Sequence, residues 1–516
     1  MGAYIMEIEF QGAAECVTGS CHILRLMGKT ILLDCGSFVA EDDDKGENED
    51  FDFDVKLIDY VILSHAHIDH SGRIPLLFKR GCKGKVICTN ATKDLCGVML
   101  KDSGHIAEME AEWINRKRMR LGQEPVEPLY TVKDAEYCMT YFEGHEYGEE
   151  IQVFEGVKLI FKDAGHILGA ATSEIYVKEK KAEEVKLVYS GDIGNVNIPI
   201  INDPTYIEKA DYVIMETTYG NKLHSAAKDE LEKLIQIIDD TFKRGGNVII
   251  PSFAVGRTQE LIYALNGYVE NKLLKNVKVF VDSPLAQEST KIFQKYNHIY
   301  DKEARELVEK GDDPLSFEGL IFTKSAEESV GINRIKSGIV IISSSGMCDA
   351  GRIKHHLKHN LWRKECSVVF VGYQAQGTLG RKILDGAKKV KIFGEDIAVN
   401  AKVYNLHGLS GHADKNGLLT WVNSFRKKPK EIMLVHGDKE VLGAFQRELS
   451  DKGFNVSIMK KGERRHIGTS EVKEIYLNEN LKEELLEYVS GLGNYYISNA
   501  DILKDIEAII SNSNVK

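Results

Sequence analysis

The chain has 516 residues, 43% of them hydrophobic and 28% charged, which leaves room for two or three domains with substantial cores and argues against disorder. Its 67 basic against 78 acidic residues give a net charge of −11, which argues against a protein that coats nucleic acid nonspecifically, so any contact with a polyanion must be local. The 9 cysteines are scattered without a C-x-x-C pair, which speaks against a disulfide scaffold and a thiolate zinc site, and no apolar run nears the ~20 residues of a membrane span.

The start, Met1-Gly2-Ala3-Tyr4-Ile5, lacks the basic and apolar regions of a signal peptide, so a cytoplasmic protein without membrane contact is expected. Residues 6–10 alternate as a strand, a Gly-rich loop spans 12–22, and a second strand covers 23–26. The apolar run 30–33 delivers Asp34 to a strand end, where an unpaired carboxylate would be expensive, so Asp34 needs partners. The acidic loop 41–50 has no assigned role. Val61-Ile62-Leu63 then reads as a short buried strand that runs into Ser64-His65-Ala66-His67-Ile68-Asp69-His70-Ser71-Gly72. Side chains alternate along a strand, so His65 and His67 project from one side. Ile74, Leu77 and Phe78 have helical spacing, which places Asp69 and His70 at the turn into a helix, facing the same point. Imidazole nitrogens and carboxylate oxygens suit zinc, and a site poor in thiolates keeps positions open for water, so this cluster points to a hydrolytic metal centre.

Further along, a strand at 86–89 leads into a long helical region, 91–120, in which Ile106, Met109 and Trp113 mark a stripe expected to face the core. His166 lies in a loop of small residues, and the strand 186–189 delivers Asp192 to another Gly-lined loop. A second unit is expected from about Asp211, with a strand ending in Glu216 and then strands alternating with helices, a pattern that predicts parallel strands with helical crossovers. Two of its turns, 343–352 and 372–381, follow a strand and precede a helix, so their amides and hydroxyls could cradle a phosphate. Strand-like runs then end at His407, His412 and Asp414, and again at His436; neither His407 nor Asp414 acquires a role. The tail from Glu471 carries Leu481, Leu485, Leu486 and Val489 as an apolar stripe, fit for packing or for an oligomer contact such as a homodimer. Basic stretches at 116–120, 426–430 and 460–465 are the local candidates for nucleic-acid contact.

His65-Ala66-His67-Ile68-Asp69-His70 resembles the second motif of the metallo-β-lactamase fold, and the chain as far as roughly residue 470 resembles its β-CASP nuclease branch. The resemblance implies an α/β protein: a metallo-β-lactamase αββα sandwich over residues 1–210 and 393–470, an inserted β-CASP α/β cap over 211–392, and an extension over 471–516. It implies two Zn2+ per chain, one held by His65, His67 and His166, the other by Asp69, His70 and His436, with Asp192 between them. Asp34 would orient a ligand histidine without binding metal, and His412, held by Glu216, would be the general acid. Asp69 counts among both the ligands and the catalytic residues, and Ser344, Ser345, Gly346, Arg352, Thr378 and Arg381 would grip substrate phosphates. The implied function is a zinc-dependent ribonuclease that cuts single-stranded RNA, as an endonuclease, a 5′-exonuclease or both. It would leave 5′-phosphate and 3′-hydroxyl ends by a two-zinc hydroxide mechanism. A DNA nuclease of the same superfamily is the nearest alternative, but those relatives typically lack the histidine that stands here at position 436. A small-molecule hydrolase of the bare fold would need no cap, and an inactive scaffold would have lost motif residues, none of which is missing. No G-x-x-G turn of the KH type precedes the first strand, so no separate RNA-binding module is expected.

Overall fold

Strand pairing among the described residues gathers the chain into two seven-stranded sheets, one six-stranded sheet and a two-stranded hairpin. The computed structural model describes residues 6–39, 46–178 and 183–468, with His407 by its backbone alone. The tail from Glu471 and the first half of the acidic loop lie outside the described residues.

The first sheet runs from edge to edge through Arg464–Ile467, Met6–Phe10, His22–Leu26, Lys29–Leu33, Tyr60–Ile62, Lys85–Thr89 and Phe142–His145. The second runs through Val456–Ile458, Glu431–Leu434, Tyr212–Met215, Val185–Tyr189, Ala171–Val177, Val157–Asp163 and Ile151–Phe154. Rings from the two sheets meet face to face and edge to face: Tyr60 stacks on Phe154 at 5.7 Å between centroids, and His22 stands edge-on to Tyr189 at 5.8 Å. Helices cover the outer faces. Ile74, Leu77 and Leu95 pack with Leu32 and Val61 of the first sheet, and Leu418, Trp421 and Phe445 pack with Val213 and Ile432 of the second. Lys29–Leu33, Tyr60–Ile62 and Lys85–Thr89 are mutually parallel, as are Val185–Tyr189, Tyr212–Met215 and Glu431–Leu434. Such strands are covered on both sides, which is why Val213-Ile214-Met215 and Ile432-Met433-Leu434 are uninterrupted apolar runs.

The third sheet, Leu320–Phe322, Lys278–Val281, Ile339–Ser343, Val248–Pro251, Ser367–Phe370 and Lys402–Asn405, is parallel at every pairing, as the alternation of strands and helices predicts. Its pairings move both expected boundaries of the cap. Tyr212–Met215 belongs to the second sheet rather than the insertion, and Lys402–Asn405 closes an edge of the cap rather than returning to the sandwich. A buried parallel strand reads alike in either sheet, so only its neighbours reveal which one it joins.

The stripe of Ile106, Met109 and Trp113 is likewise corrected: these side chains are 39%, 54% and 59% exposed. Helix Asn90–Arg120 buries Leu95, Cys96, Met99 and Leu100, but beyond Gly104 only Ala111 is buried. Periodicity marks a stripe without saying whether anything packs on it; here the Lys117 ammonium covers the Trp113 ring at 3.3 Å from its centroid. All three basic stretches are tied to acids, Arg116 to Glu112, Arg426 to Glu208, Lys430 to Asp211, Lys461 to Glu47 and Asp52, and Arg464 to Glu9. All nine cysteines are free thiols, eight of them buried.

The cap is pinned by Asp282, fully buried after strand Lys278–Val281. Its carboxylate accepts from Ser329 Oγ and His356 Nε2 at 2.6 Å each and from Arg352 Nη1 at 2.7 Å, with Thr323 Oγ1 as a further donor. Burial opposes its charge, but these donors outweigh burial and hold the carboxyl far below the usual range. The network therefore contributes its full stability above the unfolded carboxylate value near pH 4 and loses it as pH falls below that. Asp282→Ala is expected to destabilise the protein by about 3–5 kcal/mol, because it strands the Arg352 guanidinium without its counter-charge and leaves the other donors of the network without an acceptor. Denaturant midpoints of wild type and variant at pH 7 check this, and equal midpoints would refute it.

Candidate active site

Asp34 follows strand Lys29–Leu33 with a left-handed backbone, φ 60°, and its buried carboxylate has the partners that burial requires. Oδ1 accepts from the Ser64 amide at 2.7 Å, and Oδ2 accepts from Ser64 Oγ at 2.7 Å and Tyr189 Oη at 2.6 Å. The same oxygen meets His70 Nδ1 at 2.6 Å. With Nδ1 engaged, His70 turns Nε2 inward, 3.1 Å from His436 Nε2 and 3.3 Å from Asp192 Oδ1. His436 follows strand Glu431–Leu434, again with positive φ, 50°, and its Nδ1 lies 3.1 Å from Thr218 Oγ1.

Among the described residues three groups of donor atoms converge here, the third being Asp192, Glu216 and His412. In the first, His67 Nδ1 stands 3.1 Å from both His65 Nε2 and His166 Nε2, and Asp192 Oδ2 lies 3.4 Å and 3.5 Å from those same two nitrogens. In the second are Asp69, His70 and His436, with Asp69 Oδ2 at 3.8 Å from His436 Nε2. Within each group the donor atoms lie within 4.8 Å of one another, close enough to share one ion. The loops can approach so closely because Gly194 sits where a Cβ would stand 1.7 Å from the carbonyl oxygen of Gly165. Burial, helped by the neighbouring His70, holds His65 well below its ordinary range, and burial holds His67 at about 4, so both imidazoles are neutral, the form that ligates metal. Asp192 and Asp69 remain ionised against burial because imidazoles surround them. Asp192 Oδ1 is buried and accepts no hydrogen bond. An orphaned carboxylate oxygen between two sets of converging imidazole nitrogens fits two shared cations, and nitrogen with oxygen donors fits zinc.

Beside these groups the loop 410–413 docks on the Asp192 loop, the Ala413 amide donating to Ile193 at 2.8 Å. It carries His412, whose Nδ1 lies 3.2 Å from Glu216 Oε1 and 3.9 Å from Asp192 Oδ2. Burial disfavours the charge on His412, but Glu216 and Asp192 more than compensate and raise its pKa to about 9. Glu216 is fixed in turn by the amides of Ile193 at 2.8 Å and Thr218 at 3.0 Å.

A cavity of about 210 Å³ opens over this cluster. Asp69, Asp192 and His412 form one wall, and Phe253, Arg257 and Tyr373 of the cap the other. The structure thus brings together every expected metal-site residue and the His412–Glu216 pair, but not the expected phosphate grip. Arg352 is committed to Asp282, and Arg381 Nε to both oxygens of Asp385 at 2.9 Å. Thr378 caps helix Leu379–Leu384, Ser344 Oγ donates to Ser283 Oγ at 2.9 Å, and Ser345 Oγ donates to the Ala350 carbonyl at 3.3 Å. Gly346 instead gives room to Phe253, whose ring a Cβ there would meet at 3.0 Å. Sequence reasoning missed Phe253 and Arg257. The signal was available, since Ser-Phe-Ala-Val-Gly-Arg also joins a buried strand to a helix through a glycine turn.

Comparison with known proteins bears on the domains that carry these residues. Residues 14–132 match the metallo-beta-lactamase superfamily, 258–383 the Beta-Casp domain, and 396–459 the Zn-dependent metallo-hydrolase RNA specificity domain. A ribonuclease of Thermus thermophilus is 35% identical, the match covering 88% of this chain and 98% of that protein. An RNase J-like protein of Methanocaldococcus jannaschii is 33% identical over 84% of this chain and 92% of its own. The transcription termination factor FttA of the same organism is 32% identical over 85% of this chain and 68% of its own. A solved protein of unknown function from Enterococcus faecalis shares the fold, with a TM-score of 0.51 at 14% identity over 90% of this chain and 100% of that one. With both sheets of the sandwich, the inserted cap and the histidine and aspartate motifs in place, the chain belongs to the β-CASP ribonuclease branch of the metallo-β-lactamase superfamily.

Proposed function

We infer that the protein is a zinc-dependent ribonuclease that hydrolyses phosphodiester bonds of single-stranded RNA to 5′-phosphate and 3′-hydroxyl ends. The observation that carries this reading is the placement of His412, 3.2 Å from Glu216 Oε1, at 3.9 Å from the Asp192 carboxylate that faces both sets of metal-donor histidines. His65, His67 and His166 would hold one ion and Asp69, His70 and His436 the other, with Asp192 between them. Two bound zinc ions would supply an ionised water at neutral pH and neutralise charge on the phosphoryl oxygens. The chain's own residues do the rest. Asp34 fixes the His70 tautomer through Nδ1, Thr218 faces His436, and His412 stands ready to protonate the leaving 3′ oxygen. The cap supports a polymeric substrate over a small molecule, since its Phe253, Arg257 and Tyr373 narrow the approach to the cluster. The ribonuclease name of the Thermus thermophilus relative and the match to an RNA specificity domain favour RNA over DNA.

The test is incubation of purified protein with end-labelled RNA and matching DNA, with and without chelator, together with elemental analysis. About two zinc ions per chain and chelator-sensitive cutting of RNA are expected. One deoxyribose at the cut bond should leave cleavage possible, because the ribose 2′-hydroxyl takes no part in the chemistry. Cyclic 2′,3′-phosphate products, or full activity with a single ion, would refute the reading.

A further inference from the structure

Arg257 opens helix Arg257–Glu270 and follows Gly256, which takes a positive φ of 81° where a Cβ would meet Ile167 at 2.7 Å. That tight turn brings the guanidinium under the cap, where the residue is only 9% exposed although it lines the cavity. Its Nη1 pairs with Glu260 one turn on, itself 4% exposed, while among the described residues Nε and Nη2 have no further hydrogen-bond partner. Nη2 lies 3.5 Å from the point where a Cβ would leave Gly411. Gly411 precedes His412, and its carbonyl lies 3.2 Å from His166 Nδ1. A buried Arg–Glu pair is poor value as a stabilising device, because desolvation cancels most of the attraction. Kept with two unused donors at the rim of a cavity, it is instead a fork suited to two oxygens of a phosphate, with Glu260 fixing its orientation.

We propose that Arg257 grips the RNA phosphate immediately 5′ of the cleaved bond and so sets the register of the strand over the metal cluster. The assignment rests on the ribonuclease reading. If His412 protonates the leaving 3′ oxygen, the nucleotide that owns that oxygen lies on the His412 side of the cluster. Arg257 flanks that side through Gly411. The next phosphate in the 5′ direction belongs to the same nucleotide and falls within reach of the guanidinium.

The experiment uses a short RNA cut at one bond, with each phosphate in turn replaced by a neutral methylphosphonate. Both kcat/KM and equilibrium affinity in chelator are measured for wild type, Arg257→Gln and Arg257→Lys. Neutralising the phosphate 5′ of the cut should cost wild type on the order of 10–100-fold, the scale of a charge-assisted contact. Arg257→Gln should lose as much on unmodified RNA, keep its zinc, and lose almost nothing more when that phosphate is neutralised. Arg257→Lys keeps the charge without the fork, so it should lose less and stay sensitive to neutralisation. It carries the test if the glutamine variant fails to fold. Additive losses, or sensitivity at a different phosphate, overturn the assignment while leaving the ribonuclease reading intact. Wild type that cuts no RNA overturns that reading itself.

Discussion

Asp192→Asn is expected to lower RNA cleavage by at least ~10³-fold and to leave the protein with less than its full zinc. Removing one preorganised charge aimed at a transition state typically costs on the order of 10²–10³ in rate, and Asp192 faces both donor groups at once. Its Oδ2 lies 3.4 Å from His65 Nε2 and its Oδ1 3.3 Å from His70 Nε2. The amide of asparagine keeps the shape but puts an N–H2 group where one of these oxygens stood, turning a donor of electron pairs into a donor of protons. Single-turnover cleavage and elemental analysis of the same preparation check the expectation. An asparagine variant with two zinc ions and near-normal cutting would remove Asp192 from the shared position.

His412→Ala should slow RNA hydrolysis by roughly 10²–10⁴-fold, the range of general acid catalysis, while the protein keeps its zinc. His412 groups with Asp192 and Glu216 rather than with the other histidines, and the two carboxylates beside it keep its imidazole charged and able to donate. A protonating group matters only when the leaving oxygen is poor. On bis(p-nitrophenyl) phosphate, whose phenolate departs without a proton, the loss should be far smaller. Glu216→Gln should show the same asymmetry in weaker form, since the amide still positions the ring but no longer favours its charge. Zinc depletion, or equal slowing of both substrates, would make His412 a ligand or a phosphate-binding group.

Asp34, Asp192 and His436 were legible as polar side chains that follow apolar strands, where burial makes their chemistry conspicuous, and the His65–His70 cluster by its spacing, while the full ligand set came from the family resemblance. Asp34 at the end of residues 30–33 demanded partners, and the structure supplies Ser64, Tyr189 and His70. Arg352 and Arg381 misled for a related reason. A cation beside a glycine turn fits a phosphate, but it fits a nearby carboxylate as well, and Asp282 is 70 positions away in sequence, out of reach of local reasoning. Arg257 was passed over because its turn has one glycine rather than several. Sheet membership of Tyr212–Met215 and the exposure of Trp113 depend on neighbours distant in the chain, which spacing alone does not encode.

His70 and His436 stand 366 positions apart in the chain, with their Nε2 atoms 3.1 Å apart. Everything between them, including the whole cap, must be synthesised before the second donor group can exist. A ribosome-bound chain that has emerged only as far as Asn405 already holds His65, His67, His166 and Asp192, yet it has neither the acid nor the last ligand. On the proposed reading the order of residues works as a delay: the proposed acid His412 and the last proposed ligand His436 are synthesised only after the cap.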